Sequence, residues 1–275
     1  MSRGRAWAWR KLSAAKWEDV WGERLGAFRD RLAVTALAGS RTIRLEVFAL
    51  TPAQAGRLVK AFGGTALPMK KLPALLAAPP RPPIKVRDKL VVVASVAEPA
   101  DRPQLLIPAG MAFGTGDHAT TATCLRFLAD VSGDCAGRPW EMLDLGCGTG
   151  ILALAARMLG ARSAEAGDFD PDAVRTAKEN ARANHLDRVA IRRLDVREWK
   201  PARTWDVIAA NMYSGILVEA APKIARACGH GGRLIFSGIL REQEREVVAA
   251  FRAVGFRVER TVRKGKWVTG LAARG

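Results

Sequence analysis

The sequence predicts an α/β protein, a mainly parallel sheet covered by helices on both faces, preceded by a small α+β unit. Three observations predict it. From about Gln104 onward, short apolar runs of strand character alternate with amphipathic helical stretches, the rhythm of a parallel sheet buried on both sides. A glycine-dense turn, Gly146-Cys147-Gly148-Thr149-Gly150, comes after the first long run of this kind and opens a helix. The last two runs, Arg257–Thr261 and Trp267–Leu271, are joined through Gly265 too tightly for a helical crossover, so they pair antiparallel.

Composition excludes other classes. The 275 residues are 49% hydrophobic and 26% charged, which is ordinary usage for a folded protein, and no uncharged apolar run approaches the ~18 residues of a membrane span. Disordered, collagenous and integral membrane chains are excluded, and no membrane partner is expected. Cys124, Cys135, Cys147 and Cys228 are scattered, with no Cys-x-x-Cys pair; they are too sparse for a disulfide framework, so a cytoplasmic setting without metal is expected. Met1 to Arg10 is basic, and Lys11, Lys16 and Glu18 interrupt the next stretch of chain, leaving no apolar signal core. The start therefore reads as mature protein, with an Arg-rich transit peptide as the competing reading.

The charge is uneven. Against 27 Asp and Glu stand 44 Lys and Arg, net +17; residues 1–90 hold 18 basic and 6 acidic residues, net +12, and the rest 26 and 21, net +5. Such an excess favours polyanions such as RNA or a ribonucleoprotein. Solubility and an arginine-rich codon usage explain it equally well.

Each element has its own local signal. Ser13 can cap a helix carrying Trp17, Trp21, Leu25 and Phe28 on one face. Arg41 to Leu50 alternates, with Ile43, Leu45 and Val47 on one side, as a half-buried strand does. Thr51-Pro52 then gives an N-cap and a first helical residue for a helix reaching Phe62, before Gly63-Gly64. Six prolines from Pro68 to Pro83 exclude a helix interior and mark an extended connection. The expected division is residues 1–80 as an α+β domain, 81–103 as a Pro-rich linker and strand (Lys89–Val96), and 104–275 as the main domain. Its parallel strands are Met142–Leu145, Ser163–Gly167, Val189–Leu194, Val207–Ala210 and Leu234–Ser237.

Chemistry concentrates at the ends of these strands. The glycines at 146, 148 and 150 allow the backbone to turn sharply and approach a small ligand, although a purely structural turn has the same pattern. Asp168 closes the next strand, where a carboxylate can take two ribose hydroxyls. Asp170 precedes Pro171 and Asp172, so it reads as a helix N-cap. Asp195 closes the third strand, at the adenine edge or as a plain turn residue. No Gly-Lys-Ser/Thr comes after the glycines to hold a phosphate, and the third glycine falls one position early for a dinucleotide. S-adenosylmethionine fits.

Asn211 ends the fourth strand, where its amide oxygen can accept a hydrogen from a substrate amine and align the nitrogen lone pair; the alternative is that it only fixes its own turn. Upstream, Ala112-Phe113-Gly114-Thr115-Gly116-Asp117-His118 is a glycine-rich loop whose Phe113 can close over the site. Thr120 or Thr121 can hydrogen-bond the cofactor's amino-acid end. His118 is a candidate base or a structural residue.

Taken together, these segments resemble the bacterial methyltransferases of ribosomal protein L11. The resemblance rests on Ala112–His118 with Thr120-Thr121, Asp144–Gly150, Asp168-Phe169-Asp170-Pro171, Asn211, and Gly231-Gly232 leading to Ser237-Gly238-Ile239-Leu240. It covers roughly residues 84–275. It implies a seven-stranded class I (Rossmann-like) methyltransferase domain behind a small domain that presents the ribosomal protein. The implied reaction is repeated N-methylation of lysine side chains and an N-terminal amine. Cofactor contacts would fall on Thr121, Gly146, Asp168 and Asn211, and the loop neighbour Gly148 joins them. The family's Thr-His-Pro-Thr-Thr stands here as Asp117-His118-Ala119-Thr120-Thr121, and its Asn-Ile-Leu-Ala-Gly-Pro-Leu as Asn211-Met212-Tyr213-Ser214-Gly215-Ile216-Leu217; both departures touch the substrate side. Contact with the ribosome or its RNA through the basic N-terminal region is a further expected partnership. The rival readings are an RNA or DNA amino-methyltransferase and an inactive RNA- or ribosome-binding module.

Overall fold

The strand that opens the described chain lies hidden among basic residues. The computed structural model describes residues 6–25, 28, 31–37, 40–69, 83–95, 101–108, 118–186 and 188–275, and divides into two compact units, Met1–Pro79 and Pro80–Gly275. In the first, β1 (Trp7–Ala14) turns Trp9 into the core, where it is fully buried, and Arg10 and Leu12 outward. After it come a 3-10 turn (Ala15–Trp17), α1 (Glu18–Arg24), β2 (Leu32–Ala36), β3 (Thr42–Leu50), α2 (Pro52–Phe62) and β4 (Thr65–Pro68). The sheet is antiparallel in the order β2-β3-β1-β4, a split βαββαβ arrangement. Trp9, Ile43, Leu45 and Val47 pack with Trp21 and Leu58 of the helices.

The helix expected from Ser13 starts later. Pairing of β1 with β3 runs on to Ala14 opposite Thr42, which commits Ser13 to the ladder. Its hydroxyl accepts the Trp21 indole N–H at 2.7 Å instead of capping. Trp17, in the turn, is 49% exposed and off the buried stripe, whereas Trp21, Leu25 and Phe28 keep to it. The second helix obeys its sequence signals: Thr51 and Gln54 exchange side-chain and backbone hydrogen bonds at 3.2 and 2.9 Å, with Pro52 in the first turn.

The second unit opens with β5 (Ile84–Val86), β6 (Leu90–Val93) and β7 (Gln104–Leu106), a three-stranded sheet. Val86, Leu90 and Leu105 pack into the same apolar layer as α3 (Ala119–Asp134). Residues 70–82, which hold most of the proline run, lie outside the described residues. The main sheet comprises β8 (Glu141–Leu145), β9 (Ser163–Asp168), β10 (Ala190–Arg193), β11 (Trp205–Asn211), β12 (Cys228–Leu240), β13 (Phe256–Lys264) and β14 (Trp267–Arg274). Among the described residues it has seven strands in the order β10-β9-β8-β11-β12-β14-β13. The first five are parallel and the terminal hairpin is antiparallel, as the tight connection at Gly265 requires. Helices α3, α4 (Ile151–Met158) and α5 (Pro171–Ala183) cover one face; α6 (Ser214–Ala227) and α7 (Glu244–Ala253) cover the other. No described helix is long and apolar enough to cross a membrane.

Charges tie the strand starts together. Glu141 accepts hydrogen bonds from Ser163 and Arg162, each at 2.8 Å, and from Arg203, which also reaches Glu165. Ser163, Arg162 and Arg203 together hold the Glu141 carboxyl down at about 2. A depressed folded pKa stabilises above the unfolded value, about 4.3, and the contribution is lost as pH falls through the folded value. Glu141→Gln is therefore expected to cost about 1 kcal/mol at neutral pH, scaled down for partial exposure, and little near pH 2; thermal unfolding at both pH values measures it.

Candidate active site

The order of the main sheet reverses direction beside β8: the chain steps outward through β9 and β10, then returns to the other side as β11. A crevice opens where strand ends diverge at such a switch point. At the end of β8 the chain bends back on β9, the Gly146 and Cys147 amides donating to the Gly167 carbonyl at 2.8 and 3.1 Å. Gly146, Gly148 and Gly150 have φ of 68°, 53° and 77°, the left-handed region that disfavours other residues. A Cβ on Gly146 would stand 2.8 Å from the Met212 side chain, and one on Gly150 3.0 Å from Ala177. The three glycines thus make a turn that side chains would disrupt.

Asp168 and this turn are joined directly. The carboxylate is 8% exposed and accepts the Gly148 amide at 2.9 Å and the Asp170 amide at 3.0 Å. Asp170 in turn accepts the Asp172 amide at 2.9 Å, capping α5 as Pro171 predicts. Asp195 is exposed, and its carboxylate accepts the Arg197 amide at 2.9 Å, within its own turn. The chain just before it does reach the site, since the Leu194 amide donates to the Asp168 carbonyl at 2.9 Å. Phe169 is not singled out by spacing, yet its ring is 67% exposed beside Asp168. An aromatic residue between two acids at a strand end is the signal that could have found it.

Asn211 and the threonines meet on the other side of the crevice. Asn211 is in register with Ser237 of β12, and the next amide, Met212, donates to the Ser237 carbonyl at 3.1 Å. Gly238, with φ of 84°, lies so close that a Cβ would sit 2.6 Å from the Met212 carbonyl oxygen. Ser237 is fixed from behind by Val268 at 3.0 Å and Thr269 at 2.7 Å. This is the physical content of the Ser-Gly-Ile-Leu segment: its glycine lets the Asn211–Met212 backbone settle against β12.

Thr120 and Thr121 lie in the first turn of α3, both 1% exposed. The Asn211 Nδ2 donates to Thr120 Oγ1 at 3.4 Å, and Thr120 Oγ1 lies 2.7 Å from His118 Nδ1. His118 caps the helix and sets its ring edge-on to Trp267, with centroids 4.9 Å apart. Thr121 Oγ1 and Asn211 Oδ1 are buried with no hydrogen-bond partner, a state costing about 1–3 kcal/mol each and one that a bound polar ligand would relieve. Tyr213 is 69% exposed at the start of α6. Phe113 lies outside the described residues. Among the described residues, no three His, Cys, Asp or Glu side chains are grouped to hold a metal ion.

Beneath the turn lies Asp144, 1% exposed, whose carboxylate accepts the Ala153 amide at 3.3 Å. Burial, with a smaller contribution from Asp168, lifts its carboxyl to about 7. Cys124 nearby is pushed up to about 12 by burial and the charge of Asp144, which makes it a poor nucleophile.

Comparison with known proteins places these features in context. A model of the family described as Ribosomal protein L11 methyltransferase (PrmA) matches residues 81–274. The chain is similar to the ribosomal protein L11 methyltransferase of Chromohalobacter salexigens, 42% identical over 201 residues, 69% of this chain and 63% of that one. Its counterpart in Azotobacter vinelandii is 44% identical over 164 residues, 60% of this chain and 54% of that one. The match thus spans less than two thirds of the length of these relatives. A crystal structure of a ribosomal protein L11 methylase from Lactobacillus delbrueckii subsp. bulgaricus superposes with a TM-score of 0.60 at 27% identity, over 70% of this chain and 97% of that one.

Asp144 generates a stability prediction. An acid whose folded pKa is raised, here to about 7 from about 3.9 unfolded, favours the folded state below the unfolded value and loses that advantage as pH rises through the folded one. Asp144→Asn keeps an oxygen for the Ala153 amide. Relative to the parent it is expected to gain roughly 1–3 kcal/mol between acid and mildly alkaline pH. Thermal unfolding of both proteins across that range would show diverging midpoints; parallel ones would rule burial out as the cause.

Proposed function

Because the chain belongs to the ribosomal protein L11 methyltransferase family, we propose that it is an S-adenosylmethionine-dependent protein N-methyltransferase acting on lysine and N-terminal amines of that large-subunit protein. The observation that carries this reading is the pair of buried, unpartnered oxygens, Thr121 Oγ1 and Asn211 Oδ1, in the crevice that also holds Asp168 and the glycine turn. One acceptor suits the ammonium of an amino-acid cofactor end, and the other an incoming amine. The residues present fit the cofactor: the backbone of Gly146 to Gly150 takes its close approach, Asp168 the ribose hydroxyls and Thr121 the amino-acid end. Asp195, turned into its own bend, is a weaker contact for the adenine edge, and the exposed ring of Phe169 is better placed to cover a base. When bound, S-adenosylmethionine supplies a methyl group on a positively charged sulfur.

The protein's part is positioning and dehydration. Asn211 Oδ1 accepts a hydrogen from the neutral amine and so aims the nitrogen lone pair along the line of transfer. The Gly146–Gly150 turn, Asp168 and Thr121 would hold the cofactor to supply its methyl group to that nitrogen, whose extra proton would leave to solvent. A lysine amine, ordinarily near 10.4, must first be neutral; apolar surroundings lower that value, and Met212, packed on Gly146, contributes them. Phe113 is assigned to closing the site. These contacts require no dedicated strong base.

The acceptor protein and the cytoplasmic setting rest on the family. Contact with ribosomal RNA rests on the net +12 of residues 1–90, the same excess that favours the rival reading of a nucleic-acid amino-methyltransferase. Labelled S-adenosylmethionine applied to undermethylated extract, and then protease or nuclease, separates the two: label lost to protease supports the protein acceptor, and label lost only to nuclease overturns it. In the purified enzyme, Asn211→Ala is expected to lower turnover roughly 10–100-fold with little change in cofactor affinity. Asp168→Ala is expected to weaken cofactor binding by about 10-fold or more and turnover less. Equal loss of both constants in both variants would contradict the two assignments.

A further inference from the structure

An asparagine is useful as an acceptor only if its amide faces the right way, and its oxygen and nitrogen have almost the same shape. The hydrogen bonds around α3 decide which way it faces. The Thr120 backbone amide donates to His118 Nδ1 at 3.4 Å, so this ring nitrogen presents a lone pair and the imidazole proton sits on Nε2. The 2.7 Å contact between His118 Nδ1 and Thr120 Oγ1 must then be donated by the hydroxyl. With its hydrogen committed, Thr120 Oγ1 offers only lone pairs to Asn211. The group facing it has to be the amide nitrogen, as the 3.4 Å Nδ2 contact has it, and Oδ1 is the atom left buried and unpartnered.

We propose that His118 and Thr120 are positioning residues, a two-member relay that sets the Asn211 amide with its oxygen toward the substrate amine. The inference rests on the role given to Asn211 above. A proton on Nδ1 would reverse the chain: the hydroxyl would accept from the ring and donate to Asn211, turning the amide round to present a donor to a donor. The helix cap and the edge-on stack against Trp267 help to keep the ring in place. A helix cap, a hydroxyl and a strand-end amide therefore act as one unit, although His118 and Asn211 lie 93 positions apart in the chain.

The test uses Thr120→Val, which removes the hydroxyl at nearly constant volume, and Thr120→Ser, which keeps it. Thr120→Val is expected to lower turnover roughly 10-fold or more while cofactor affinity stays within about 2-fold, and Thr120→Ser to recover most of it. Because Thr120 acts through Asn211, Thr120→Val should cost nothing further in an Asn211→Ala background. A readout independent of turnover is the side-chain 15N–1H amide pair of Asn211 in the NMR spectrum of the intact chain, assigned by its absence in Asn211→Ala. The pair should move in Thr120→Val and in His118→Phe, and hold in Thr120→Ser. An unmoved pair, or equal losses from Thr120→Val in both backgrounds, overturns the relay. An Asn211→Ala enzyme with parental turnover overturns instead the role of Asn211 itself, and the amide pair then decides the relay alone.

Discussion

The site depends on one backbone reversal, the end of β8 folded onto β9 by amides that donate to the Gly167 carbonyl and to the Asp168 carboxylate. That reversal places a carboxylate, a glycine turn and the start of α4 within a few residues of one another. It also leaves the space into which Met212 leans from the far side. Because the returning strand β11 lies against β8 on one side and β12 on the other, Asn211 arrives at the same level. The crevice is therefore a product of strand order, and the residues in it are those that the order brings to the strand ends.

Much of this was legible because the signals were local. A Thr-Pro start, a Gly-x-Gly-x-Gly turn and an Asp-x-Asp-Pro cap each state their geometry within a few residues, and α2, the glycine turn and α5 result from them. The illegible parts are those decided by distant partners. Ser13 has the chemistry of a cap, yet pairing of β1 with β3 claims it for a strand, and the four-residue spacing of the tryptophans does not reveal that Trp17 is left in a turn. Asp195 takes the Arg197 amide within its own turn, one of the two readings its position leaves open. His118 could be read as a base or as a structural residue, since its use as a cap depends on the Thr120 amide and hydroxyl around it. Gly238 is visible as a letter in a motif, and its purpose only once the Met212 carbonyl is seen pressed against it.

The two units obey different chemical rules. The first is small and rich in tryptophan, and its charge excess is large for its length. The second carries most of the family resemblance and matches the family model from residue 81, and its charges are closer to balanced. Ion pairing there is dominated by arginine, which makes paired contacts such as Arg87 with Asp130 and Arg263 with Glu244. Arginine suits fixed, forked contacts to carboxylates better than lysine does, so many of the basic residues in this part serve its construction.

The knot around Glu141 gives the main sheet a direction. Ion pairs and a hydroxyl fasten the starts of β8 and β9 to Arg203, whereas at the far end of β11 the Asn211 Oδ1 is buried without a partner, as is Thr121 Oγ1 in α3; the Trp205 indole N–H, at the start of β11, is unpartnered too. Resistance to local opening is therefore expected to be greater at the fastened starts of β8 and β9 than at the Asn211 end of β11. In hydrogen-exchange terms the amides near Glu141 are expected to exchange more slowly than those near Asn211. A ligand that satisfies the orphaned oxygens would flatten this gradient, so that occupancy is felt as rigidity at the rim while the base stays as it was.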